Sequence, residues 1–158
     1  MFRELSRIKQ KLSADECIEL LIRETRGVLS MAGENGYPYA IPMNHCYDPQ
    51  TGKIYFHSGK VGYKTDLLRS NGKVCYVVTE HGVRKPNEWW LTVKSTVVFG
   101  RIEMTEDPEE IRRISEILCA KFTSDADYVR EEIEKYTPST LLLALSIDHI
   151  CGKWVKEK

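Results

Sequence analysis

The sequence has 158 residues, of which 42% are hydrophobic and 29% are charged, as in an ordinary soluble globular protein. Its 23 basic and 23 acidic residues cancel, so no net charge draws the chain to nucleic acid or to an anionic membrane. The length predicts one domain, residues 1–158, whose core needs no disulfide or metal.

The cysteines and the N-terminal segment predict a cytoplasmic protein. Five cysteines are scattered without a CxxC spacing, which is typical of reduced thiols. No apolar run approaches the roughly 20 residues of a membrane-spanning helix. Residues 1–7 lack the apolar stretch and small-residue cleavage site of a signal peptide.

Hydrophobic periodicity and turn signals predict the secondary structure. Strands are predicted at residues 28–31, 37–47, 53–58, 74–79, 92–104, 141–147 and 149–155. Helices are predicted from a capping box at 13–16 to about 26–27, over 64–70 with a left-handed cap at 71–72, from Asp107 onward, and over 127–135. Pro38 and Pro42 cannot donate to a ladder, so their strand is predicted at an edge, bulged, or both. Gly100 is predicted to bend the longest strand.

Hairpins at about ten-residue spacing, with helices between and after them, are typical of a mainly β, α+β domain. The specific expectation is a small antiparallel barrel with peripheral helices.

Residues 54–64 form the most informative segment, because an apolar strand enters a glycine-bearing loop and a helix then begins. Such a loop presents backbone N–H groups and the positive end of a helix dipole to a phosphate. Lys60 and Lys64 add two mobile positive charges beside Ser58 and Gly62. The alternative is that both lysines are only solvated surface residues.

Two histidines need separate interpretations. His57 stands at a strand end beside the predicted phosphate loop, either as a hydrogen-bonded structural residue or as a functional one. His45 directly precedes Cys46 on a strand, so their side chains face opposite sides and cannot share one metal. No metal site is predicted.

Several segments, in their order and spacing, resemble the FMN-binding split-barrel superfamily that includes pyridoxamine-phosphate oxidase. They are residues 27–30, 36–44, 54–58, 62–64, 95–101 and 147–153. Within it, the chain is most similar to the nitroimidazole-resistance (Nim-type) branch. The resemblance implies an antiparallel Greek-key split barrel with peripheral helices, and a homodimer with two FMN molecules in clefts between the subunits.

The resemblance also implies which residues bind the cofactor. The strand along the flavin would be Ile41, Pro42, Met43 and Asn44. The ribityl phosphate would be held by the segment containing His57, Ser58, Lys60, Gly62 and Lys64. The alternative for the proline-bearing strand is an edge that prolines merely protect from aggregation. Members acting on pyridoxamine phosphate carry an additional arginine and a Ser-Arg-Lys run, which this chain lacks, so that reaction is not expected.

A bound FMN would make the protein an oxidoreductase acting on a small planar substrate such as a nitroaromatic compound. His57 is then the candidate catalytic proton donor. The rival hypothesis is a non-catalytic flavin-binding or flavin-sensing protein, and relatives with deazaflavin or haem are further alternatives. Trp89 and Trp90 are predicted at a dimer interface, whereas Trp154 is left open between an interface and flavin stacking.

Overall fold

A computed structural model of the chain describes residues 2–157. Its seven strands are β1 (Arg26–Ala32), β2 (Pro38–Asn44), β3 (Cys46–Asp48), β4 (Lys53–Gly59), β5 (Lys73–Thr79), β6 (Leu91–Thr105) and β7 (Thr140–Glu157). They form one sheet in the order β2-β1-β5-β6-β7-β4-β3, and every neighbouring pair is antiparallel.

Four α-helices and three short 3₁₀ turns accompany the sheet. The helices are α1 (Ala14–Arg23), α2 (Tyr63–Ser70), α3 (Pro108–Cys119) and α4 (Ala126–Tyr136). The 3₁₀ turns are Ile8–Gln10, Glu34–Gly36 and Thr137–Ser139. No helix within residues 2–157 is both long and apolar enough to cross a membrane.

The sheet curls into a half-barrel that is open along one side. Parts of β2 and β4 approach with Cα atoms within 8 Å, although no ladder of hydrogen bonds joins these two strands. This arrangement is a split barrel, and it confirms the predicted mainly β fold with peripheral helices.

The barrel interior holds the main core, to which α1 and α2 contribute Leu20, Leu21, Leu67 and Leu68. A second cluster lies outside the sheet, where α3 packs on alternate residues of β4 and β7. The run 141–145 is therefore buried on both faces, which explains its continuous apolar sequence.

Helix boundaries partly match the prediction. The capping box is present, since the Ser13 hydroxyl accepts from the Glu16 N–H and the Glu16 carboxylate accepts from the Ser13 N–H. The predicted left-handed cap at 71–72 is wrong. Asn71 is extended, with φ of −152°. Gly72 is required instead by a close approach, since an added Cβ would lie 2.8 Å from the Ile102 carbonyl oxygen.

Three strand predictions are refined. The strand predicted at 37–47 is interrupted at His45, which separates β2 from β3, and β2 is an edge strand as its prolines indicated. The two strands predicted at 141–147 and 149–155 are one continuous strand, β7. Next to Gly100 the β6–β7 register shifts, since Phe99 pairs with His149 and Gly100 with Ile147. The extra residue, Asp148, lies on β7, and the bend of β6 at Gly100 stays a prediction.

Candidate functional site

A cleft of about 510 Å³ opens where the end of β2 faces β4 and the last turn of α3. Its walls are Arg26, Pro42, Met43, Asn44, His57 and Leu118. Four residues predicted from the sequence, on two different strands, thus meet around one space. Ile41 does not line the cleft, and its side chain packs against the barrel core, as the Met43 side chain also does.

Arg26 fixes the orientation of the Asn44 amide. The Arg26 Nε–H donates to Asn44 Oδ1 over 2.8 Å. With its oxygen engaged, the amide has its NH₂ group free to donate to an acceptor. Because β2 is an edge strand, alternate backbone groups on its outer side also have no partner strand. The cleft wall therefore offers both side-chain and backbone hydrogen-bonding groups.

A buried network supports this wall from behind. The Tyr76 hydroxyl lies 3.0 Å from the Met43 carbonyl oxygen and 2.8 Å from His45 Nδ1. His45 Nε2 lies 2.8 Å from the Leu21 carbonyl oxygen, so this nitrogen carries the proton and Nδ1 is the acceptor. The network joins the cleft wall to the last turn of α1. It also explains why the chain leaves the β2 direction at His45.

The charge state of His45 follows from its surroundings. Burial, with a smaller contribution from the Lys121 ammonium, lowers the pKa of His45 to about 4. The ring is therefore neutral near pH 7. Burial likewise raises the pKa of Tyr76 well above its usual range, so its hydroxyl stays protonated.

Stability is expected to fall on acidification because of His45. The unfolded chain takes up a proton below the ordinary histidine pKa of 6.5, whereas the folded chain resists protonation until about pH 4. The unfolded state thus binds more protons, and the free energy of unfolding decreases by about 2 kcal/mol from pH 7 to pH 5. Urea unfolding at the two pH values measures this decrease. His45→Gln is expected to flatten the dependence, and His81→Gln, at an exposed position, to keep it. Equal slopes in all three proteins would contradict the assignment.

The predicted phosphate loop joins β4 to α2. Gly62 is the N-cap of α2 with φ of 144°, a conformation that glycine adopts without strain, and no side chain caps the helix. The Thr65 hydroxyl donates to the Gly62 carbonyl oxygen over 2.6 Å and anchors the loop. The Ser58 hydroxyl donates to the Gly59 carbonyl oxygen. Among residues 2–157, no side chain therefore accepts a hydrogen bond from the first N–H groups of α2.

The two lysines of the loop have different surroundings. Lys60 Nζ pairs with the Glu106 carboxylate at 2.7 Å on the surface. Lys64 is half-buried, and its Nζ lies 3.8 Å from the sulfur of Met43, a cleft residue. Within residues 2–157, no carboxylate lies within 4.0 Å of Lys64 Nζ. Burial lowers the pKa of Lys64. Lys64 is thus a cation without an anion, placed between the loop and the cleft.

His57 reaches the cleft from β4, and its Nε2 lies 2.9 Å from the Ser115 hydroxyl on α3. Burial lowers the pKa of His57 below 6.5, so the neutral form predominates near pH 7.

The sequence interpretation missed Ser115, Arg26 and Leu118. A signal existed for Ser115, because a serine interrupts the apolar stripe of α3 between Ile111 and Leu118. Nothing local distinguishes Arg26.

Neither a metal cluster nor a tryptophan marks the cleft. No group of three potential metal ligands occurs within residues 2–157. The cleft lining contains no tryptophan. Trp89 is 64% exposed and lies against Trp90 in the connection between β5 and β6, while Trp154 is half-buried on β7.

Comparison with known proteins places the chain in a family. A family model described as pyridoxamine 5'-phosphate oxidase matches residues 13–154, which is most of the chain. The chain belongs to the pyridoxamine 5'-phosphate oxidase family. The match contains every residue of the cleft and of the loop. No curated protein matches the sequence.

Solved structures show the same family fold. A candidate 5-nitroimidazole antibiotic resistance protein from Bacteroides thetaiotaomicron superposes with a TM-score of 0.75 at 21% identity, covering 93% of this chain and 87% of the other. An FAD-binding protein from Mesorhizobium loti superposes with a TM-score of 0.70 at 25% identity, covering 92% of this chain and 97% of the other. An FAD and haem binding protein from Mycobacterium smegmatis superposes with a TM-score of 0.70 at 20% identity, covering 92% of this chain and 72% of the other. These proteins share the pyridoxamine 5'-phosphate oxidase fold.

Proposed function

We propose that this protein binds FMN, with the flavin ring in the cleft beside β2 and the phosphate at the start of α2. The observation that carries the proposal is the half-buried Lys64, which has no carboxylate partner within the described chain and stands beside an uncapped helix N-terminus. FAD-binding proteins of Mesorhizobium loti and Mycobacterium smegmatis with the same fold support a flavin site.

The phosphate end fits the residues present. Backbone N–H groups at a helix N-terminus bind anions, and a lysine beside them adds a charge-assisted contact. Lys64 would supply this contact, because a phosphate would both neutralise its ammonium and replace the water removed by burial. Gly62 leaves room, since an added Cβ there would meet no atom within 4 Å. Lys60 would contribute less, because Glu106 already neutralises it.

The flavin end fits as well. A flavin presents both donors and acceptors along its pyrimidine edge, and an edge strand with free backbone groups can match both. The Asn44 NH₂ group is oriented to donate, because Arg26 holds the amide oxygen. The buried Tyr76 side chain supports the backbone of this wall, with its hydroxyl oxygen 3.0 Å from the Met43 carbonyl oxygen. This preorganisation means that binding orders few additional groups.

We further infer a homodimer built on the outer face of the sheet, where Phe2 stacks on Phe99 and His149 and an adjoining apolar row stays accessible. A row of register partners crosses this face: Pro42, Val28, Val77, Val97 and Cys151. These residues are exposed or half-buried. Contiguous apolar surface of this kind marks a protein interface. Because Pro42 also lines the cleft, a partner seated on the row would reach the flavin site.

Light scattering is expected to give twice the chain mass of 18.3 kDa for the purified protein. Val97→Lys places a charge in the centre of the row and is expected to yield monomers with weakened FMN binding. Val83→Lys introduces the same charge at an exposed position in the β5–β6 connection and is expected to leave the dimer intact. A wild-type monomer that binds FMN would contradict a site between subunits.

The activity that we propose is reduction of a small planar substrate such as a nitroaromatic compound. A bound FMN would supply two-electron chemistry, and the protein would supply its position and surroundings. The Bacteroides thetaiotaomicron neighbour supports this substrate class. His57 is placed at the cleft to donate a proton to the reduced substrate, held in position by Ser115.

All five cysteines are free, which agrees with a cytoplasmic protein.

The bound cofactor can be identified directly. The protein is denatured after purification, and the released small molecules are identified by mass spectrometry. The proposal predicts FMN. Release of FAD would refute FMN while keeping a flavin site, and release of a deazaflavin or of haem would refute the flavin assignment.

A further inference from the structure

We propose that a second cavity, half-open between α3, α4 and the start of β7, binds a small aromatic molecule. This α3–α4 cavity has a volume of about 290 Å³. His57 and Ser115 form its polar end, and Phe122, Tyr128 and Tyr136 contribute aromatic rings to its walls. His57 also lines the cleft, so its imidazole separates two spaces.

The aromatic rings around this cavity are incompletely buried. Phe122, Tyr128 and Tyr136 are 54%, 56% and 49% exposed. Because these three large rings stay about half exposed to water around one concave space, much of the free energy of burying them is not gained in the ligand-free protein. An aromatic ligand would recover it, and stacked or edge-to-face ring contacts add to area burial. The occupant is therefore aromatic.

The polar end of the α3–α4 cavity determines which hydrogen-bonding group an aromatic ligand needs. Ser115 is only 4% exposed, and its hydroxyl meets His57 Nε2. The second ring nitrogen of His57 makes no hydrogen bond within residues 2–157. Thr137 and Thr140 also line the cavity, but their hydroxyls already donate to the backbone carbonyl oxygens of Ile133 and Tyr136. A ligand thus needs one nitrogen or oxygen directed at the His57–Ser115 pair.

The volume limits the ligand to one or two rings. An apolar cavity of about 150 Å³ is enough to hold benzene, and drug-sized ligands occupy pockets from about 300 Å³ upward. A two-ring heteroaromatic molecule lies between these limits. Benzimidazole is a suitable probe, because its two nitrogens provide one donor and one acceptor and so match either tautomer of His57.

The binding test uses the full chain, with and without FMN, and the methyl NMR signals of Ile133 and Met43. Ile133 lines both the α3–α4 cavity and an adjoining cavity between the same helices, and Met43 lines the cleft. The paired leucine variants described next separate the two cavities. Benzimidazole is expected to shift the Ile133 signal at lower concentration than the Met43 signal in both preparations. Because the flavin-free protein is included, failure of the FMN proposal would not alter this result.

Neighbouring positions at the end of α3 supply matched variants. Cys119 lines the α3–α4 cavity, whereas Ala120, the C-cap residue of α3, lines an adjoining cavity that shares Thr123, Val129 and Ile133 with it. Cys119→Leu fills the proposed site and is expected to weaken benzimidazole binding at least tenfold, while Ala120→Leu leaves it unchanged. Ser115→Ala removes one hydrogen-bonding group and is expected to weaken binding roughly two- to tenfold.

Three results would overturn the proposal. They are an Ile133 signal that benzimidazole does not move, equal effects of the two leucine variants, and a Met43 signal that responds first. If Cys119→Leu does not fold, Ser115→Ala against Ala120→Leu gives the same decision, because only the first alters the cavity.

Discussion

Replacing Lys64 with alanine is expected to weaken FMN binding roughly ten- to a hundredfold, as for a lost charge-assisted hydrogen bond of about 1.5–3 kcal/mol. The half-buried ammonium has no carboxylate within 4.0 Å in residues 2–157, so the phosphate would be its first anionic partner. Riboflavin lacks the phosphate, and its binding should change little. Calorimetric titration with both flavins measures the difference.

Lys60→Ala is the matched control for this substitution. It removes a lysine from the same loop, but Lys60 is already paired with Glu106 at 2.7 Å. Its loss is expected to follow the same pattern more mildly. If Lys64→Ala weakens FMN and riboflavin equally, Lys64 supports the fold of the cleft and is not a phosphate ligand.

His57→Ala is expected to slow reduction of a nitroaromatic compound by about a hundredfold while keeping most FMN affinity, as for a lost general acid. Stopped-flow mixing of the reduced holoprotein with the nitroaromatic compound follows this step. Since burial lowers the pKa of His57 below 6.5, its acid form grows as the pH falls. The wild-type rate should therefore rise on acidification, and the variant should lose this dependence.

Three other outcomes of the His57 experiment have clear meanings. Unchanged reoxidation with weakened FMN binding makes His57 a cofactor ligand only. A rate that falls in His57→Ala but equally in Ser115→Ala indicates that the bonded pair acts as a unit. No substrate-dependent reoxidation in the wild type favours a flavin-binding protein without catalysis, in which the 2.9 Å bond from His57 to Ser115 is structural.

Local sequence patterns predicted the helices and strands well, but they predicted the tertiary contacts between these elements poorly. The capping box and the edge position of the proline-bearing strand are short-range signals, and both are confirmed by the structure. The left-handed cap at 71–72 failed because a tertiary contact, the Ile102 carbonyl oxygen against Gly72, sets the local backbone instead.

The candidate site shows the same contrast between local signals, which the sequence revealed, and tertiary contacts, which it did not. A strand, a glycine loop and two lysines indicated the phosphate site, but charge alone could not separate Lys60 from Lys64. Their difference arises from Glu106, which is 46 residues from Lys60 in sequence. Ser115 meets His57 across 58 residues, and Tyr76 supports Met43 across 33. Such pairs depend on the sheet order, which no local pattern in one sequence encodes.

The absorbance spectrum of the purified protein tests the central claim most directly. Binding of FMN in the cleft predicts a yellow protein with the two visible flavin bands and, after saturation with added FMN, one flavin per subunit. A colourless protein that takes up no added FMN would contradict the account.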